Sequence, residues 1–163
     1  IMIDTDHLWG IGGDYKWVWK SFLRGLQPNY MDPYVEYDSG ATWGSTQGQF
    51  DSARLAMGQT LKIANQINLV SMIPHNELSS TAYCLANPGS AYLVYLPEGG
   101  HASIDLSNAS GKLKVQWIKP TEGTMVPGKK IKGGKNLELI TPFTGDAVLY
   151  ITKQKPLVNI SSK

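Results

Sequence analysis

Between residues 81 and 152 the chain holds six short runs rich in β-type residues, and no helical period interrupts them. They read "TAYCLA", "AYLVYL", "HASIDLS", "KLKVQWIK", "NLELIT" and "DAVLYIT". Turn formers lie between them in "NPGS", "PEGG", "SNASG", "KPTEG", "GG" and "PFTGD". Two of the runs alternate strictly. Ala102, Ile104 and Leu106 share one face against Ser103, Asp105 and Ser107, and Leu113, Val115 and Trp117 oppose Lys114 and Gln116. Short alternating strands separated by Gly, Pro and Asn predict an antiparallel β-sandwich of about 75–80 residues.

The preceding residues follow another rule. "IMID" reads as a short strand, and Asp14 as the N-cap of a helix over "YKWVWKSFLR" that Gly25 stops. "NYMDPY" reads as a second strand, ended by Pro33. A Gly/Ser/Thr-rich loop leads to Asp51 or Ser52, capping a helix over "SARLAMGQTLKIANQI" with Leu55, Leu61, Ala64 and Ile67 as its expected core side. Strand, helix, strand, helix is the order of parallel βα units. Two such strands cannot cover both their faces, so this region reads as the end of a larger α/β domain. The chain opens directly inside a strand-like run, which reads as a cut end. The overall class expected is α+β, a partial β/α region followed by the sandwich.

Composition supports two regions. Of the 16 aromatic residues, 10 fall within the first 50 positions. Residues 1–80 carry 5 basic and 8 acidic side chains, whereas residues 81–163 carry 10 and 5. The densest basic run, "GKKIKGGK", has no interleaved aromatics, so it reads as a solvated hairpin or loop and no nucleic-acid partner is expected. No apolar run approaches the roughly 18 residues of a membrane span, so no membrane partner is expected. The single cysteine, Cys84, lies in an apolar run and reads as a buried structural thiol. "GIGG" lacks the spacing of a dinucleotide loop, and no cofactor is expected.

Asp4-Thr5-Asp6-His7 stands at the mouth of the first strand, where acids are costly unless solvated, paired or working. Three roles fit. The residues can touch substrate; Asp4, Asp6 and His7 can ligate a metal, although only three ligands are local; or Asp4 can pair with Arg24 and Asp6 cap a turn. Asp4 and Asp6, two apart on a strand, share one face roughly 6–7 Å apart. Both would approach a substrate from the same side, so a reaction that needs carboxyls on opposite sides of a bond draws at most one of them from this strand.

The run "DTDHLWGIGGDYKWVWKSFLRGLQPNYMDPY" resembles the last part of bacterial (β/α)8-barrel proteins related to glycoside hydrolases. "A-N-P-G…Y-L-V-Y-L-P-x-G-G" and "F-x-G-D-A-V-L-Y" resemble the sandwich that follows such barrels, labelled "putative collagen-binding domain of a collagenase". The resemblance implies that residues 1–73 are the end of a TIM barrel, 74–80 a linker, 81–155 an accessory sandwich and 156–163 a tail. It implies a carbohydrate-active parent enzyme, extracellular or periplasmic, acting on a polysaccharide or oligosaccharide. Asp4 and Asp6 become catalytic candidates, and His7, Trp9, Asp32, Tyr34 and Trp43 substrate-binding ones; no metal site is carried over. Related barrels place Glu where this chain has Asp. Trp17 and Trp19 are expected to pack the helix on the barrel. Alone, the 163 residues are expected to be inactive and to self-associate through the cut barrel surface. The alternative is a non-catalytic module that binds a carbohydrate or a collagen-type matrix ligand.

Overall fold

The computed structural model describes residues 1–4, 14–29, 51–153, 157 and 158, with Asp4 described by its backbone. The chain begins with β1 (Met2–Asp4), α1 (Tyr15–Leu23), β2 (Gln27–Asn29) and α2 (Asp51–Ala64). β1 and β2 pair in parallel, Met2 against Gln27 and Asp4 against Asn29. α1 starts where Asp14, in extended conformation, accepts a 2.7 Å bond from Trp17 N–H and satisfies one orphan donor of the first turn. It stops at Gly25, whose φ of +74° favours a residue without a β-carbon. The described part of the second strand is Gln27–Asn29; of the expected Asn29–Tyr34 run, residues 30–34 fall outside the described residues.

α2 corrects the expected core face. Leu55 and Leu61 are 45% and 63% exposed, while Ala53, Ala56, Thr60 and Ile63 are buried. The buried set advances by three and four residues, as a helical stripe must, whereas a six-residue step from 55 to 61 carries a side chain well round the helix. The small alanines let α2 lie close to its neighbours, and Ala64 and Ile67 pack at the margin of the core.

Among the described residues nine further strands follow: β3 (Ile73–Pro74), β4 (Cys84–Asn87), β5 (Ala91–Leu96), β6 (His101–Asp105), β7 (Lys112–Lys119), β8 (Thr124–Pro127), β9 (Ile131–Lys132), β10 (Asn136–Ile140) and β11 (Ala147–Thr152). One sheet runs in the order β3-β4-β5-β11-β7-β8, with β9 also paired to β7. β6 and β10 form a separate two-stranded sheet. All pairings after residue 72 are antiparallel.

This is a lopsided sandwich. One face of the large sheet, with Val94, Leu96, Val115, Trp117 and Leu149, packs on Ala102, Ile104 and Leu106 of the small sheet region. The other face, with Leu85, Leu93, Tyr95, Val148 and Tyr150, packs on Val18, Trp19, Phe22, Leu23, Ala53, Ala56 and Ile63 of the helices. Central strands covered on both sides have no reason to alternate, and every residue of β5 and β11 is buried. β10 is covered on one face and alternates strictly. Trp19 therefore packs on the sandwich sheet, its ring stacked 6.3 Å from that of Tyr95. Beyond β11, two glutamine amides grip the chain like a strand. Gln116 bonds both backbone groups of Leu157, and Gln66 both of Val158.

Burial also sets the alkaline limit of this core. It pushes the Cys84 thiol up to about 12 from an ordinary 9.0 and raises the phenols of Tyr92, Tyr95 and Tyr150 above their ordinary 10.0. Groups raised in the folded state keep their protons there while the unfolded chain releases them. Stability from these groups is thus fully present below about pH 9 and is lost as pH climbs beyond it. The urea midpoint is expected to hold from neutrality to about pH 9 and then fall. A midpoint still level about two units higher would contradict the burial of these groups.

Candidate functional site

The two parallel strands set the candidate site. Asp4 and Asn29, the last described residues of β1 and β2, are register partners, so the two strands run side by side as far as they are described. In sequence, Asp6, His7 and Trp9 follow the first end, and Asp32, Tyr34 and Trp43 follow the second. Those six residues, and the Asp4 side chain, lie outside the described residues.

Beside these strand ends a groove of about 330 Å³ runs between β1 and α1, with Ile3, Trp17 and Leu26 on its walls. Lys16, Lys20 and Arg24 also line it, four residues apart along one stripe of α1. They are engaged by the sandwich. Lys16 Nζ donates to Pro97 O at 2.9 Å and stands 3.7 Å from Glu98. Arg24 and Lys20 lie over the Tyr83 ring at 4.6 and 5.7 Å from its centroid. The stripe works as a clamp that fixes α1, and with it the groove wall, to the sheet.

The clamp meets a seat made by two turns. Gly99, at φ +69°, is so close to Gly145 that a β-carbon there would come within 2.0 Å of its carbonyl oxygen. Thr141 N–H donates to Gly100 O at 2.9 Å and ties the same turns together. Next to Gly145, Asp146 is 7% exposed and accepts a 2.7 Å bond from Tyr95 Oη. A carboxylate taken from water needs such a donor. Burial first, then the Asp146 carboxylate beside it, raises the Tyr15 phenol as well. Both tyrosines hold their protons at neutral pH, and this cluster is a latch between α1, β5 and β11. The glycines of "PEGG" and "PFTGD" were legible as turns, but the mutual contact of the turns was not. The one available hint was an acid placed immediately before a fully apolar strand.

A second, polar cleft of about 230 Å³ lies where Glu77 and Ser79 approach Ser103, Asp105 and Asn136 of the small sheet. Its groups largely satisfy one another. Ser103 Oγ donates to Asn136 at 2.8 Å, and Ser103 N–H to Ser80 Oγ at 3.0 Å. The Ser107 bond holds the Asp105 carboxyl below its ordinary value, as the His75 ring does that of Glu77. Among the described residues no group of three or more His, Cys, Asp or Glu side chains is placed to hold a metal ion. Among them, too, no helix is long and apolar enough to cross a membrane.

The family model described as "Putative collagen-binding domain of a collagenase" matches residues 69–151. A solved structure named "Glycoside hydrolase" shares the fold at a TM-score of 0.62 and 15% identity, over 88% of this chain and 37% of its own. A glycoside hydrolase family 5 protein from Bacteroides vulgatus ATCC 8482 does so at 0.62 and 17% identity, over 85% of this chain and 35% of its own. The chain thus spans little more than a third of the solved proteins it matches. At these identities the likeness is one of fold. No curated protein sequence matches the chain.

Proposed function

The chain belongs to the family described as "Putative collagen-binding domain of a collagenase", and from that premise we propose that it is the C-terminal part of a carbohydrate-active, glycoside-hydrolase-like enzyme. The observation that carries this reading is the parallel pair β1–β2 around α1. Parallel strands are ordinarily covered on both faces by their own helices. Here Met2 of β1 is 70% exposed, and Leu55 and Leu61 of α2 are exposed as well. Such surface fits the end of a barrel whose other strands precede it, whereas the expected linker 74–80 is itself held to the sandwich by Pro74 of β3 and the bond from His75 N–H to Cys84 O. Without the barrel's cover the exposed surface would favour self-association. The fold likeness extends over 85% or more of the chain, beyond the residues the family model matches.

On this reading the ends of β1 and β2 open onto the substrate face, where barrel enzymes keep their chemistry. Asp4 or Asp6 supplies one carboxylate, and its acid/base partner comes from an earlier strand. His7, Trp9, Asp32, Tyr34 and Trp43 hold the sugar. The clamp of Lys16, Lys20 and Arg24 gives the sandwich its part, since it keeps α1 and so β1 in place. The test compares the full-length protein with the 163-residue chain on aryl glycosides and polysaccharides. Turnover by the full-length protein is expected to fall roughly 10²–10⁴-fold on Asp4→Asn or Asp6→Asn, and the short chain to be inert. Turnover by the short chain, or full-length turnover indifferent to both substitutions, would contradict the reading.

The family's description favours a second reading, a non-catalytic module for a collagen-type ligand. Binding of triple-helical collagen by the short chain, with no turnover by the full-length protein, would select it.

A further inference from the structure

At the far edge of the large sheet, lysines face lysines. Lys112 of β7 is the register partner of Lys132 of β9. One step along, Leu113 opposes Ile131, and Gln116 opposes Pro127 of β8. Gly128 N–H donates to Val115 O at 2.8 Å. Two residues, Lys129 and Lys130, therefore stand against the single residue Lys114, which is a β-bulge joining β8 to β9. All five lysines are exposed. Lys112, Lys129, Lys130 and Lys132 have no ion-pair partner among the described residues. At the other end of β7 the contrast is plain, for Lys119 lies 2.6 Å from Glu122.

Like charges directly opposite on paired strands destabilise a sheet. Lysines on an edge strand guard it against pairing with another chain, which accounts for Lys129, Lys130 and Lys132. That protection does not account for Lys112, which sits on the inner neighbour β7 directly opposite Lys132. A ligand that brings negative charge to both strands does account for it.

We propose that this face binds a linear acidic polysaccharide, carboxylated or sulfated, through Lys112, Lys114, Lys129, Lys130 and Lys132. Cations about 5 Å apart across the strands and about 7 Å apart along them form a grid suited to a chain with repeated anionic groups. Between residues 110 and 135 Trp117 is the single aromatic, and it is buried, so this segment offers no ring on which a base could stack. The grid also lacks the exposed apolar anchor that a protein partner uses. This surface is separate from the strand ends of β1 and β2, and the inference stands whichever reading of those ends holds.

The experiment titrates the 163-residue chain with heparin, polygalacturonate, neutral dextran and oligo(dT). Both acidic polysaccharides, or one of them, are expected to bind, dextran not to bind, and oligo(dT) to bind more weakly. The triple variant Lys112→Gln, Lys130→Gln, Lys132→Gln is expected to weaken binding by at least about tenfold, and Lys119→Gln to leave it unchanged. Raising salt from about 50 to about 200 mM should weaken the wild type and have less effect on the triple variant. The triple variant is expected to melt no lower than the wild type, which separates lost binding from lost folding. Binding of neither polysaccharide, full binding by the folded triple variant, or tighter binding of oligo(dT) would overturn the proposal.

Discussion

Replacing Trp19 by alanine is expected to cost about 3–5 kcal/mol, the range for a large aromatic removed from a packed core. Trp19 is fully buried, stacked 6.3 Å from Tyr95 and edge-on at 6.5 Å to Phe22. With a urea slope of about 2 kcal/mol/M, the midpoint should fall by roughly 1.5–2.5 M. Trp19→Phe should be far milder. It keeps a ring in the contact and removes an indole N–H that is buried without a hydrogen-bond partner among the described residues. Had α1 packed on barrel strands, as expected from its tryptophans, Trp19→Ala would cost this chain little. A midpoint within about 0.3 M of the wild type would return Trp19 to that role.

Gly99→Ala is expected to do as much damage by a different route. Its neighbour Gly100 has a similar φ, +72° against +69°, so both substitutions carry the same left-handed penalty of about 1–2 kcal/mol. The surroundings differ. A β-carbon at Gly100 meets nothing within 4 Å, whereas one at Gly99 comes 2.0 Å from the Gly145 carbonyl oxygen, which is backbone and cannot rotate away. Gly99→Ala must push the two turns apart and with them Asp146, which holds Tyr95. A loss beyond about 4 kcal/mol, or failure to fold, is expected for Gly99→Ala, and a loss of about 1–2 kcal/mol for Gly100→Ala. Equal midpoints for the two variants would show that the turns do not meet.

Much of this was visible in the sequence, and what was not has physical causes. β6 and β7 follow from strict alternation, and the body of β5, β10 and β11 from short β-rich runs with turn formers at their ends. Asp14 was legible as a cap because capping is a local bond between a side chain and an amide three residues on. The face of α2 was misread because the eye follows leucines, and Leu55 and Leu61 are the large residues that the fold leaves outside. β8 and β9 were missed because a bulge breaks their period at Lys129–Lys130, so neither shows alternation long enough to count. The latch of Tyr15, Tyr95 and Asp146 joins residues from three elements, and no spacing along the chain announces it. For the candidate site, the parallel order of β1 and β2 was foreseen, while Asp6, His7, Trp9, Asp32, Tyr34 and Trp43 rest on sequence and resemblance.

The central claim is that α1 and the sandwich share one core, so that the sandwich holds the strand ends at which the proposed chemistry takes place. Nine residues are too few for α1 to be stable as an isolated helix; its stability must come from the sheet or from something outside the described residues. Native-state amide hydrogen exchange on the 163-residue chain distinguishes these sources directly. If the core is shared, the amides of Trp19, Phe22 and Leu23 exchange with opening free energies within about 1 kcal/mol of those of Val94 in β5 and Leu149 in β11. Exchange of the α1 amides at several kcal/mol less, with β5 and β11 still protected, would contradict it.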